Sequence, residues 1–225
     1  MIRDNPPLIY HPPETSSEEF TAQIRKSLAA YRSTLSTDRR LLFDRYHLQD
    51  MAIKVVGVGS VGTRCSVVLM MAGSDDSLIL QVKEARRSVL EPYVGKSAIV
   101  NRGERVVTGQ RIMQSASDLF LGWTAGAAGR HYYIRQLRDM KLKPLVELFT
   151  PATLLQYAEF CGWALAHAHA RSGQPALIRG YLGKKGRFDE AVAQFAVAYA
   201  DQSEQDYQAL VEAVRSGRIE ISQEG

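Results

Sequence analysis

The sequence predicts an α+β fold: a small five-stranded antiparallel lobe carrying one helix, with helical segments before and after it. Three observations predict it. Short β-rich runs broken by Gly, Ser and Asp clusters fill residues 52–85, helical apolar spacing flanks them, and no strand-like run occurs beyond residue 139.

Residues 1–15 hold four of the eight prolines and read as an extended arm rather than a packed element. Ser16 followed by Glu19 is a capping-box pattern, after which Phe20, Ile24, Leu28 and Tyr31 share one helical face. A shorter helix around Asp38 to Tyr46 completes a lead-in over 16–50. From Ala52 the runs IKVVGVGS, TRCSVVLMMAG and SLILQVKEA read as three strands. Asn101 to Ser115 returns to helical spacing, and SDLFLGW and HYYIRQL add two strands around the turn TAGAAGR, so that 51–140 forms the lobe. In the helical region, 141–217, Thr150 caps a helix of about six turns that opens on Pro151 and stops at Gly173. Two further helices carry Phe188, Val192, Phe195 and Tyr199, then Tyr207, Leu210 and Val214, with a cap at Ser203 between them; Arg179 to Arg187 reads as a solvated loop. Residues 218–225 form a frayed tail.

With 225 residues, 45% of them hydrophobic and 23% charged, the chain has the balance of a globular protein rather than a disordered one. The longest apolar run, Val67 to Ala72, is far shorter than a bilayer span, and the N-terminus lacks an apolar signal core. A cytoplasmic location without a membrane partner is expected. A net charge of +4 from dispersed basic residues does not point to nucleic acid. Cys65 and Cys161 sit far apart in apolar stretches and read as buried thiols, not as a disulfide or metal pair. His167 and His169, two apart on a helix, point about 200° from each other and cannot share a metal in the way an i, i+4 pair does.

The segment VVGVGSVG places Gly57, Gly59 and Gly62 in a GxGxxG pattern directly after a strand, with Ser60 offering a hydroxyl. Such glycines let backbone N–H groups approach phosphate oxygens. In the dinucleotide form of the motif a helix starts at the third glycine, and an acid about 20 residues on, here Glu84, holds the ribose. In the kinase form the glycines cap a hairpin over ATP, and a lysine on the third strand, here Lys83, reaches the phosphates. A purely structural turn shares the spelling. Adjacent Val67 and Val68 favour a strand after the glycines, and the order of three strands, one helix and two strands is that of a kinase small lobe. Glu104 on the intervening helix is then the expected carboxylate partner of Lys83, with Glu91 second, and residues 133–141 leave the last strand as the hinge. The chain's two asparagines, Asn5 and Asn101, lie outside any HxDxxxxN context, and no DFG-like sequence occurs. Hence no catalytic residue and no metal ligand is assigned.

The stretches KVVGVGSVGTRC, LQVKEA, NRGERVVTGQRIMQ, YYIRQLRDMK and CGWALAHAHARSG resemble the uncharacterised bacterial family called domain of unknown function 2252. The resemblance covers nearly the whole chain and corresponds to the C-terminal half of the longer family members. Their N-terminal half carries a GDxHxxNFG stretch and a DFD-like stretch, similar to the catalytic and metal-binding loops of aminoglycoside-phosphotransferase-like kinases. The resemblance therefore implies a rearranged kinase-like fold, with Gly57, Gly59, Gly62 and Lys83 in its nucleotide-binding part and the catalytic acids absent. It implies ATP as ligand, magnesium only where the other half supplies it, and a truncated or split phosphotransferase inactive alone. The implied partner is a separately encoded N-terminal half, or a second copy. A non-catalytic interaction module and an NAD-binding dehydrogenase-like domain are the alternatives.

Overall fold

A computed structural model describes residues 1–13, 17–57, 62–137 and 143–220. The chain divides into two compact units, Met1–Ser172 and Gly173–Gly225. The first is built on a six-stranded, fully antiparallel sheet in the order β1-β2-β3-β4-β6-β5. Its strands are β1 (Ile9–Tyr10), β2 (His47–Lys54), β3 (Cys65–Ala72), β4 (Asp76–Ala85), β5 (Gly122–Ala125) and β6 (His131–Gln136).

The sixth strand corrects the expectation of five, and it comes from the proline-rich arm. Ile9 pairs with Lys54 and Tyr10 with Ile53, while the Val55 N–H donates to the Leu8 carbonyl at 2.8 Å. Prolines on both sides have no N–H to give, which keeps this strand to two residues. The arm is also tied by charge: His11 Nδ1 lies 2.5 Å from Asp4 and Nε2 lies 3.1 Å from Asp50, whose other oxygen accepts from the Ile2 N–H at 2.6 Å.

Two helices lead in, α1 (Glu18–Ser33) and α2 (Thr37–Phe43). The α1 cap is Ser17, whose hydroxyl accepts from the Phe20 N–H at 3.1 Å, while Glu18 and Glu19 favour the positive end of the helix dipole. Ser16 lies outside the described residues. Leu28 and Tyr31 of α1, with Leu35 and Phe43, close over Val68, Met70, Leu80 and Ile134 of the sheet to make the core. Tyr31 has no exposed surface; its ring meets Phe43 edge-on at 5.3 Å and its hydroxyl donates to the Phe120 carbonyl at 2.5 Å. Burial, reinforced by the charge of Asp118, holds that phenol protonated as a donor.

The opposite face of the sheet carries α4 (Arg102–Met113), which packs on β5 and β6; the four-residue α3 (Glu91–Val94) precedes it. Asn101 caps α4, accepting from the Gly103 and Glu104 N–H groups at 2.9 and 3.1 Å. The strand expected from Ser117 starts only at Gly122, because Asp118 turns the chain by accepting from the Phe120 N–H at 2.7 Å. The long helix α5 (Pro151–Ser172) has the predicted bounds, with Thr150 accepting from the Thr153 N–H at 3.2 Å. Its Arg171 donates to the Ile112 and Met113 carbonyls at 3.3 and 2.7 Å, satisfying the C-terminal end of α4.

The second unit holds α6 (Pro175–Leu182) and α7 (Arg187–Arg215). Two expectations change here. Residues 179–182, expected within the Arg179–Arg187 loop, close the helix α6, and α7 runs unbroken through Ser203, because Ala and Gln around that position offer the chain nothing to stop on. Among the described residues no helix is long and apolar enough to cross a membrane.

The His11 latch has a pH signature. Burial opposes charge on the imidazole, but hydrogen bonds to Asp4 and Asp50 outweigh it and raise the pKa; burial likewise opposes charge on Asp50, while the Ile2 N–H and His11 bring its pKa down. The histidine's contribution is complete below about pH 6.5 and is lost as pH rises through its higher folded value, whereas that of Asp50 is lost as pH falls below the ordinary carboxylate range. The protection factor of the Val55 amide, its exchange rate corrected for the intrinsic pH dependence, is expected to be highest between those limits and to fall above them; in His11→Ala that fall disappears.

Candidate functional site

The glycine-bearing connection joins β2 to β3, two adjacent antiparallel strands. Gly57 sits in open space and Gly62 adopts a left-handed φ of 74°. Gly59 and Ser60 lie outside the described residues. Beyond Gly62 the chain enters strand β3 at Cys65, with no helix between. The dinucleotide arrangement, which needs a helix launched at the third glycine and a parallel strand after it, is therefore not formed. Glu84 is correspondingly engaged elsewhere: its carboxylate accepts from the Arg64 N–H at 3.1 Å and pairs with Arg86 at 3.4 Å. Arg86 in turn donates to the Gly62 carbonyl, so an acid and an arginine together brace the exit of the connection. Sequence reasoning missed Arg86, for which no motif exists.

The ladder registers place Lys83 opposite Cys65 on one side and opposite Tyr133 on the other, with Trp123 beyond. Residues directly opposite share a face, so these four side chains form a row across the sheet. Lys54, one residue past the Ile53↔Ser66 pair, extends it. The neighbouring row holds Val67, Gln81 and Arg135, and the Arg135 guanidinium donates to the Gln81 carbonyl oxygen at 3.1 and 3.2 Å. Lys54, Lys83 and Arg135 all reach the Cys65 thiol electrostatically, although its burial dominates and pushes its pKa up. Cys65 is the buried thiol expected of it; Cys161 is exposed on α5, against expectation.

Among the described residues neither Lys83 nor Lys54 has a carboxylate within ion-pair distance. The expected pair with Glu104 is not made, and the reason lies in the seating of α4. A Cβ on Gly103 would stand 2.2 Å from the Tyr132 carbonyl oxygen, so the helix start is pressed onto β6, one strand beyond Lys83. Glu91, the second candidate, pairs with Arg87 at 2.7 Å. At the far end of α4, Arg111 donates to the Leu121 carbonyl at 2.6 Å and its guanidinium lies 5.8 Å from the Trp123 ring centre. The hinge expected from Tyr133 onward is described only as far as Leu137, since residues 138–142 lie outside the described set.

Residues 1–213 match the family model described as "Uncharacterized protein conserved in bacteria (DUF2252)". The chain belongs to that family. No curated protein and no solved structure matches it. For this DUF2252 member, then, the chemistry is read from geometry: a glycine-bearing hairpin connection, three cations on one sheet face, and an acid and an arginine bracing the loop exit.

Gly103→Ala tests the seating of α4. The added methyl meets backbone, which cannot swing aside, so a loss of about 1–3 kcal/mol in denaturant unfolding is expected, with reduced amide protection through α4. An unchanged midpoint would mean that the helix start is not tightly seated on β6.

Proposed function

We propose that the chain is the nucleotide-binding portion of a kinase-like phosphotransferase, holding the phosphates of ATP between the β2–β3 glycine connection and the sheet face that carries Lys83. One observation carries the reading. Lys83 stands on the third strand of the β2–β3–β4 meander, opposite the first residue of the strand leaving the glycines, and no acid neutralises it among the described residues. Lys54 and Arg135 on the same face add positive potential, and phosphate oxygens supply the negative charge this face lacks. The strand, helix and strand order of the lobe, with α4 between β4 and β5, supports the same reading.

Binding is one part of phosphoryl transfer. In-line displacement also needs a metal to neutralise the developing charge and a base to orient the acceptor. In this reading both come from the half that carries the GDxHxxNFG and DFD-like stretches, and magnesium arrives with it. Lys83 fixes the triphosphate, the glycine connection offers backbone N–H groups, and the Glu84–Arg86 brace holds that connection in place. Alone, the chain binds ATP without turnover.

Calorimetric titration of the chain with ATP and NAD in parallel tests the proposal. ATP is expected to bind and NAD not. Lys83→Met should weaken ATP by about tenfold or more, the usual worth of a hydrogen bond to a charged group, whereas Glu104→Gln stays within about twofold because no ion pair is broken. A preference for NAD, or an unchanged affinity in Lys83→Met, overturns the reading; ATP turnover by the chain alone overturns the assignment as a non-catalytic portion.

A second reading, an interaction module, is favoured by α5. Phe160 is 73% exposed, Trp163 65% and Leu155 62%, a large apolar surface for an uncovered helix. It fits the same protein if that surface receives the other half. Light scattering across a concentration series separates the occupants: growth in mass with concentration marks a second copy, and a constant monomer rules self-association out.

A further inference from the structure

We infer a second ligand site on the other face of the sheet: a cavity between α1 and the strands that takes an amphiphile with an apolar chain and one anionic head, a carboxylate or a phosphate monoester. The pairing register puts Lys83 on the opposite face from Val82, which lines the cavity, while Gly62 and Lys54 border both this cavity and the proposed nucleotide face.

The cavity measures about 850 Å³, within the range of sites that enclose small molecules. Its roof is α1, through Phe20, Ile24 and Leu28, and its floor is the sheet, through Ile53, Val68 and Val82. Walls of this kind give water few partners, whereas an alkyl chain fills them favourably. The cationic end is formed by Arg64 at the start of β3 and Arg130 at the end of the β5–β6 turn, beside Tyr132. Burial, and then the charge of Glu84, make the Tyr132 hydroxyl a weaker acid, while Arg64 and Arg130 pull the other way. The register supplies the geometry: Tyr132 pairs with Glu84, whose N–H donates to the Arg64 carbonyl, and Arg64, Arg130 and Tyr132 all line the cavity.

Among the described residues neither guanidinium has an ion-pair partner and the Tyr132 hydroxyl makes no hydrogen bond. Glu84 is occupied by the Arg64 N–H and by Arg86, so it does not discharge them. Two guanidiniums and a phenol donor beside an apolar cavity match a single anionic head on an apolar chain, in charge and in donor count.

Calorimetry on the full chain with dodecanoate, dodecyl phosphate and dodecanol tests the assignment. At least one anionic ligand is expected to bind at one per chain, about tenfold or more tighter than dodecanol. The tighter of the two anions identifies the head as carboxylate or phosphate. Arg130→Glu, a partly exposed position that leaves the core intact, should cost the anionic ligands a similar factor and leave dodecanol unchanged. Val82→Trp, checked for folding by circular dichroism, should abolish binding of all three by filling the floor. Failure of both anions to bind, or equal affinity for dodecanol, overturns the site. So does non-saturating uptake indifferent to Arg130→Glu and Val82→Trp, which marks adsorption to the exposed α5 surface instead.

Discussion

The pairing of β3 with β4 governs both sides of the molecule. Eight consecutive pairs, from Ala72↔Asp76 to Cys65↔Lys83, run without a break from the short turn at residues 73–75. A slip of one residue would exchange every side chain between faces. What holds the register is hydrophobic burial, most complete under α1, where Leu80 and Val68 have 0% and 1% of their surface exposed. Moving them outward would forfeit about 1.5–3 kcal/mol for each. Lys83, Gln81 and Arg135 are thereby committed to the other face, beside the buried Cys65 and Val67.

Each face acquires a distinct electrostatic character. On one, three cations share a sheet with a buried amide as internal acceptor; on the other, Arg64, Arg130 and Tyr132 line a largely apolar space. The helix α4 contributes to the first without bringing an acid to it. Its start is fixed by Asn101 and by the contact of Gly103 with Tyr132, and its end by Arg171 from α5. Packing at both ends, rather than attraction between Glu104 and Lys83, sets its place.

How far this was legible in the sequence differs by element. The strands β3 and β4, with α4 and α5, were readable because turn residues and caps bound them locally, as Thr150, Pro151 and Gly173 frame α5; β2 was caught only at its end, since it begins at His47 inside the expected helical lead-in. The arm strand was not, since two residues flanked by prolines carry no periodic signal and pair only because β2 offers an edge. The continuity of α7 was hidden by Ser203, which resembles a cap but sits mid-helix, where propagation outweighs a local alternative. At the site, Gly57, Gly62 and Lys83 were recognisable from spacing, whereas Arg86 and the seating of Gly103 depend on contacts between strands distant in sequence. The α1 cavity had no motif at all: its walls read as ordinary core positions, and only the volume left between them distinguishes it.

Each margin of the sheet is covered at one point. On one margin stands the short, proline-flanked β1; on the other, the β5 backbone at Trp123 is met by the Thr34 hydroxyl, which receives its N–H at 3.1 Å. Each cover shortens the stretch of backbone open to strand addition. The exposed side chains of α5, among them Phe160 and Trp163, present a separate apolar surface for association.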